Sequence, residues 1–188
     1  SEQYSMPQWI IDAWKAQYDD ATVEQILQAL LEEKKTCIRV NTNRMSVEQL
    51  TNRLQEQGIT VEACEEIPYA LYISGYDHLR GIPEFAAGDF YIQDFSSMMV
   101  AHSAGIRAND HIIDVCAAPG GKSLHAAELL AGTGMVEARD VSDYKVSLLQ
   151  ENIARMGLTN IKAEKWDATI KKEDSIEQAD VVICDAPC

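Results

Sequence analysis

The spacing of hydrophobic positions in the first third of the chain predicts three helices. The first opens at Pro7 and carries apolar residues with helical spacing on one face: Ile10, Ala13, Trp14 and Tyr18. Each of the next two begins with the pattern of a capping box, Thr-Val-Glu-Gln at 22–25 and Ser-Val-Glu-Gln at 46–49. Gly58 is a natural stop for the third helix.

Three other segments of this region are predicted to be strands: 37–42, where apolar and polar residues alternate as in a half-buried strand, 59–63 and 69–73. A loop punctuated by Gly75, Gly81 and Pro83 follows the last of them. We therefore expect residues 1–85 to form a small N-terminal α+β extension, with a domain boundary near residue 85.

After Gly88 the pattern changes to apolar strands that alternate with helices, which is the mark of a parallel α/β sheet. The predicted strands are 111–116, 135–140, 161–166 and 180–185. Helices are predicted between them at 122–130 and 143–156, the second stopped by Gly157. Residues 86–188 are thus predicted to form a Rossmann-like domain.

Composition limits the function classes. With 46% hydrophobic and 24% charged residues the chain suits a soluble globular protein, and the lack of a long apolar run or a signal peptide predicts a cytoplasmic location. Five cysteines without a Cys-x-x-Cys pair argue against a disulfide scaffold or a metal site. The net charge of -14 gives no support for a nucleic-acid partner, because phosphate contacts depend on Lys and Arg.

The most informative stretch is 114–123, Asp-Val-Cys-Ala-Ala-Pro-Gly-Gly-Lys-Ser. It follows an apolar strand and opens a helix, which is where doubly wound folds hold a ligand. Gly120 and Gly121 allow a tight turn and a close approach of the backbone to that ligand. We therefore predict a ligand site at this turn.

Two nucleotide-binding alternatives match the turn poorly. Gly121-Lys122-Ser123 is the end of a P-loop, but Cys116 replaces its first glycine and Pro119 lacks an N–H that a phosphate cradle needs. A nicotinamide dehydrogenase would normally show Gly-x-Gly-x-x-Gly, which is absent from this turn.

Aspartates at successive predicted strand ends favour S-adenosylmethionine. Asp140 ends the second parallel strand, about 20 residues after the glycines, where a carboxylate can bind both ribose hydroxyls. Asp167 follows the third strand, from which it can accept a hydrogen bond from the adenine amino group, and Asp185 ends the fourth. We expect all three to point into one crevice at the carboxyl edge of the sheet. Clustered carboxylates would repel a triphosphate but suit a sulfonium cation, so they favour S-adenosylmethionine as the ligand.

Several segments resemble the Sun/NOL/NOP family of RNA 5-methylcytosine methyltransferases, and most closely its RsmB-type members, which act on bacterial small-subunit ribosomal RNA. They are 114–122, 185–188 (Asp-Ala-Pro-Cys), 88–97, and 39–42, which resembles an Arg-x-Asn signature. The resemblance implies a Rossmann-like S-adenosylmethionine-dependent methyltransferase sheet, incomplete at its C-terminal side, with a small N-terminal α+β extension that binds RNA.

The resemblance also implies a role for each matching position. The methionine and ribose side of the cofactor would be contacted by Cys116, Ala117, Ala118, Pro119, Gly120, Gly121 and Lys122. Asp140 would hold the ribose, Asp167 the adenine, and Asp185 would face the cofactor and the target cytosine. Arg39 and Arg44 are candidate contacts for ribosomal RNA.

The implied chemistry depends on a thiolate that adds to carbon 6 of cytosine, so that carbon 5 can attack the sulfonium methyl. Asp185 can stabilise the adduct as an acid near the ring nitrogen, and Cys188 would assist product release. By the resemblance, the attacking thiol lies in a Thr-Cys motif beyond Cys188. We therefore expect a piece of a longer enzyme that binds cofactor without turnover and self-associates through an open sheet edge. A module that only binds cofactor or RNA is the alternative.

Overall fold

The computed structural model describes residues 4–31 and 35–186 and divides the chain into two compact units between Lys35 and Thr36. In the first unit, α1 (Gln8–Lys15) and α2 (Asp20–Leu31) pack through the buried side chains of Ile11, Val23 and Leu27. Helix α1 follows Pro7 as predicted, although it ends at Lys15, before Tyr18. Ile11 is buried, whereas Ala13 and Tyr18 are exposed.

The start of α2 differs from the predicted capping box at 22–25. The helix begins at Asp20, and the carboxylate of Asp19 accepts a hydrogen bond from the backbone N–H of Thr22 at 2.7 Å. An aspartate before the helix therefore caps it, so Thr22 lies inside the first turn.

The second unit begins with a four-stranded antiparallel sheet in the order β2-β3-β1-β4. The strands are β1 (Thr36–Val40), β2 (Thr60–Ala63), β3 (Ala70–Ser74) and β4 (Phe90–Ile92). Helix α3 (Val47–Glu56) begins at the predicted capping box, in which Ser46 and Gln49 exchange hydrogen bonds of 3.1 and 2.9 Å. The three strands predicted for this region are confirmed. The pattern did not predict β4, because three residues are too few to show a period.

A short helix, α4 (Pro83–Ala87), occupies part of the segment predicted as a loop. Gly88 ends it in the left-handed conformation, with φ of 79°. Strand β4 follows and pairs with β1, so the antiparallel sheet extends past the boundary predicted near residue 85. That boundary stays a prediction.

The second sheet is parallel and has the order β7-β6-β5-β8. Its strands are β5 (His111–Asp114), β6 (Met135–Asp140), β7 (Ile161–Lys165) and β8 (Val181–Ile183); the helices are α5 (Phe95–Ser103), α6 (Gly121–Leu129) and α7 (Asp143–Met156). All four predicted strands and both predicted helices are confirmed, while α5 was not predicted. Because the chain moves outward from β5 to β7 and then returns to the other side of β5, the topological switch point lies at the end of β5.

One apolar core joins this sheet to its helices and fixes the position of the strand ends. It includes fully buried side chains from β5, β6, α6 and α7: Ile112, Val136, Ala138, Leu124 and Leu149. Together with the strand order, this gives a Rossmann-like α/β domain. Among the described residues, no helix combines the length and the apolar character needed to cross a bilayer.

The burial of His125 on α6 should make the free energy of unfolding depend on pH. Its Nε2 lies 2.9 Å from the hydroxyl of Tyr69, and burial lowers the pKa of His125 to about 2, from 6.5. Because the unfolded state takes up this proton first, the stability is complete above pH 6.5 and is lost as the pH falls from there towards 2. The free energy of unfolding should therefore fall by up to about 1.4 kcal/mol per pH unit below that point.

Denaturant unfolding at pH 7, 6 and 5 measures this slope. In the variant His125→Gln, the slope of unfolding free energy against pH should be smaller by the contribution of one proton. The variant His78→Gln, at an exposed histidine, should retain the full slope. An identical pH profile for His125→Gln and the unsubstituted chain would contradict the assignment.

Candidate functional site

The turn between β5 and α6 is held by the buried carboxylate of Asp114. Its two oxygens accept hydrogen bonds from the hydroxyl of Ser123 at 2.6 Å and from the N–H of Cys116 at 3.3 Å. The side chain is almost inaccessible to solvent, and burial raises the pKa of Asp114. Asp114 thus ties the strand end to the start of the helix, a role that the sequence pattern did not reveal.

Gly120 makes the sharp entry into α6. Its φ of 116° lies in a region that residues with a side chain rarely adopt, and a Cβ would lie 3.1 Å from Leu124. The peptide bond between Ala118 and Pro119 is cis. The path of the predicted ligand turn therefore depends on glycine at this position.

Asp140 fastens the same turn from the end of β6. One oxygen accepts from the N–H of Ala118 at 3.0 Å; the other accepts from the N–H of Val141 at 2.8 Å and lies 3.2 Å from Nζ of Lys145. Only 4% of the Asp140 side chain is exposed. The structure places Asp140 against the predicted turn, and its contact with a ribose stays a prediction.

Asp185 approaches the turn from the other side, after β8. Nζ of Lys122, in the first turn of α6, donates to its carboxylate at 2.6 Å. The side chain of Asp185 is 62% exposed and that of Lys122 is 19% exposed. Because β6 and β8 are the two neighbours of β5, Asp140 and Asp185 flank the turn from both sides.

Asp167 lies at the same edge of the sheet but not against the turn. It follows β7, where the N–H of Trp166 bonds to the carbonyl of Asp140 at 3.0 Å. Its carboxylate accepts from the hydroxyl of Thr169 at 2.7 Å and from the N–H of Thr169 at 2.9 Å, and these bonds lower its pKa. The structure thus brings Asp140 and Asp185 to the turn and leaves Asp167 in a local turn of its own.

A cleft of about 280 Å³ opens beside the glycine turn. One wall is the turn itself, with Lys122 and Asp185; the other comes from β4 and the residues after it: Tyr91, Ile92, Gln93, Asp94 and Ser97. A hydrogen bond joins the two walls: the hydroxyl of Tyr91 donates to the carbonyl of Pro119 at 3.3 Å. The only sequence signal for this second wall was the resemblance at 88–97, which assigned it no role.

The charges around the cleft are mainly negative. Asp94, Asp114 and Asp185 line it, and Lys122 is the one cationic side chain among the described lining residues. Because opposite charges attract most strongly where water is partly excluded, this lining favours a ligand with a positive charge.

Two of the described cysteines are poor nucleophiles. Cys116 lines the cleft, and burial raises the pKa of its thiol. Cys37, which follows Thr36 in β1, is buried, and its burial raises the pKa of the thiol to about 11. Since the thiolate is the reactive form, neither residue is poised to attack. Cys188, predicted to assist product release, lies outside the described residues.

The two arginines predicted to contact RNA differ. Arg39 has no exposed surface and pairs with Glu128 of α6 at 2.8 Å, so the prediction that it contacts RNA is wrong. A guanidinium that is satisfied inside the protein cannot reach a phosphate. Arg44 is 41% exposed and lies 3.2 Å from Asp89, and its contact with RNA stays a prediction.

Two family models match the chain. One describes the ferredoxin-like domain of RsmF/B-like methyltransferases and matches residues 6–77; the other describes 16S rRNA methyltransferase RsmB/F and matches residues 104–188. Together they account for most of the chain, one on each side of the predicted boundary.

Individual relatives agree with these matches. A probable ribosomal RNA small subunit methyltransferase B of Bacillus subtilis is 36% identical over 98% of this chain and 41% of its own length. A tRNA (cytosine(72)-C(5))-methyltransferase of Pyrococcus horikoshii is 40% identical over 58% of this chain and 28% of its own. The crystal structure of PH0851 superposes with a TM-score of 0.86 at 31% identity, over 98% of this chain and 42% of that one. The chain thus spans less than half the length of each relative.

Proposed function

Since the chain belongs to the RsmB/F family of 16S rRNA methyltransferases, we propose that it supplies the S-adenosylmethionine-binding part of an enzyme that forms 5-methylcytosine in small-subunit ribosomal RNA. The observation that carries the proposal is the acidic cleft beside a glycine turn that Asp140 and Asp185 flank. The position of methylation is supported by the Pyrococcus relative, whose name states carbon 5 of a cytosine in tRNA.

The residues of the cleft fit this cofactor better than a nucleoside triphosphate. S-adenosylmethionine carries a sulfonium cation and no phosphate, which suits the carboxylates of Asp94 and Asp185. A triphosphate would meet those carboxylates, and the lysine that a P-loop would direct at it, Lys122, already pairs with Asp185. Gly120 and Gly121 place no side chain between the backbone and the ligand.

We assign the cofactor contacts by position along this edge of the sheet. Residues 116–122 would lie along the methionine and ribose side, Asp140 would accept from the ribose hydroxyls, and Asp167 would accept from the adenine. When bound, the cofactor supplies an electrophilic methyl group on sulfur. Asp185, held by Lys122 at the open side of the cleft, would hold a proton at the ring nitrogen of the cytosine.

Other expectations about the whole enzyme stay predictions. They are the role of Cys188 in product release, the contact of Arg44 with RNA, a sheet that continues beyond the fourth strand, the lack of turnover by this chain alone, and its self-association. A chain that only binds cofactor or RNA, without chemistry, is the second candidate function. It is favoured by the lining of the cleft, where the one cysteine among the described residues is Cys116, which the resemblance assigns to cofactor contact.

Calorimetry with three ligands tests the proposed function. We expect S-adenosylmethionine and S-adenosylhomocysteine to bind the 188-residue chain, and ATP with magnesium not to bind, because the cleft repels phosphates. Tight binding of ATP without binding of either adenosyl ligand would contradict the proposal and favour the P-loop. Binding of ribosomal RNA without any cofactor binding would favour an RNA-docking module.

A further inference from the structure

The buried Arg39 of β1 makes contacts on two sides. Its Nε and Nη2 donate to the two carboxylate oxygens of Glu128, near the end of α6, at 2.9 and 2.8 Å. The third nitrogen, Nη1, donates to the carbonyl oxygen of Gly121 at 3.1 Å and to the side-chain oxygen of Gln93. The ion pair therefore uses only part of the guanidinium, and the rest is directed at two other residues.

These two residues belong to opposite walls of the cleft. Gly121 is the first residue of α6, directly after the glycine turn, and Gln93 follows β4; both line the cleft. Gln93 in turn donates to the hydroxyl of Ser97, another lining residue, at 3.2 Å. The ring centroid of Tyr91, in the same wall, lies 5.5 Å from the guanidinium carbon of Arg39. One side chain that never reaches the cleft thus contacts both of its walls.

The next alternate positions along the chain after Arg39 make the same kind of contact. The side-chain amide of Asn41 donates to the carbonyl of Met156, the last residue of α7, at 3.1 Å. That of Asn43 donates to the carbonyl of Glu128 at 3.3 Å. Asn41 and Asn43 lie in the segment that follows β1, so this end of the strand is attached to the helices that cover the parallel sheet.

Stability alone does not explain a buried arginine at this position. The desolvation cost of a buried ion pair is so large that replacing the pair with apolar residues of similar volume is often neutral or stabilising. The planar, rigid fork of a guanidinium does, however, fix several acceptors in one geometry. We propose that Arg39 is a positioning residue of the cofactor site, which sets the separation of the two cleft walls through Gly121 and Gln93. This inference rests on the proposed function.

The double variant Arg39→Met/Glu128→Leu separates positioning from stability, because it removes both buried charges together. The melting temperature should stay near that of the unsubstituted chain. The affinity for S-adenosylmethionine, measured by calorimetry, should fall by about tenfold or more, since two hydrogen bonds to the cleft walls are lost. Hydrogen exchange of the backbone amide of Leu124, which donates to the carbonyl of Gly120 at 2.8 Å, should become faster in the free protein.

A matched control exchanges a second buried pair in the same way, Arg139→Met/Glu137→Leu. That pair is 6% and 12% exposed, and neither residue lines the cleft. The affinity of this control variant for the cofactor should stay within about twofold of that of the unsubstituted chain. If both double variants lose affinity equally, the effect is general destabilisation and the inference is overturned.

The remaining outcomes are also decisive. Unchanged affinity and unchanged exchange in Arg39→Met/Glu128→Leu would overturn the positioning role while leaving the proposed function intact. Failure of the unsubstituted chain to bind S-adenosylmethionine would overturn the proposed function and the inference with it. Should the double variant not fold, Arg39→Lys replaces it: a lysine keeps the charge beside Glu128 but lacks the fork, so the same loss of affinity is expected.

Discussion

Replacing Gly88 with alanine is expected to destabilise the protein by about 4 kcal/mol or more, which is exceptional for a single substitution. A Cβ at this position would lie 2.0 Å from the carbonyl oxygen of Arg155 and 3.0 Å from Cα of Met156. Both contacts are with backbone at the end of α7, so no side chain can rotate away. The helix would have to move, and the bonds from Asn41 to the carbonyls of Gly88 and Met156 would break.

The matched control for this substitution is Gly58→Ala. Gly58 has the same φ of 79°, but a Cβ there meets no atom within 4 Å. Alanine at this position therefore bears only the strain of the left-handed conformation, about 1 to 2 kcal/mol. Denaturant unfolding of both variants measures the difference, and equal losses of unfolding free energy would contradict the close contact at Gly88.

Asparagine in place of Asp140 is expected to lower the affinity for S-adenosylmethionine by about 100-fold, which corresponds to the loss of strong hydrogen bonds to a charged group. The carboxylate accepts from the N–H groups of Ala118 and Val141 with its two oxygens. An amide has only one oxygen, so one of these N–H groups would face an NH₂ donor. The turn would shift, and the charge that interacts with Lys145 would disappear.

Asp143→Asn is the control for the loss of charge near the turn. Asp143 begins α7, its side chain is 85% exposed, and it pairs with the exposed Lys165 at 2.6 Å. This variant should bind the cofactor within about twofold of the unsubstituted chain, because its carboxylate does not contact the turn. Calorimetry of both variants, with circular dichroism to confirm folding, decides the matter. Equal affinities for Asp140→Asn and Asp143→Asn would contradict the role of Asp140.

Local signals were sufficient to place the elements of the parallel sheet. The predicted strand 135–140 and helix 143–156 coincide with β6 and α7, because an apolar run and a period of 3.6 extend over enough residues to be read. The capping box at Ser46 and Gln49 was readable for the same reason, since both partners lie in one turn. The glycine turn and Asp140 were predicted from their order along the chain, and the structure places them together.

Long-range pairing decided what these signals could not. An arginine in this sequence context is expected at the surface, yet Arg39 is buried and pairs with Glu128. The two residues are 89 positions apart, so no local pattern could show the pairing. The second wall of the cleft, with Tyr91 and Gln93, depends on β4 joining a sheet formed by earlier strands. Asp167 keeps its hydrogen bonds within its own turn, although its position matched that of Asp140. A sequence by itself determines which segments can become strands and helices, whereas the burial of a charge and the shape of a cleft depend on contacts between segments that only the tertiary structure brings together.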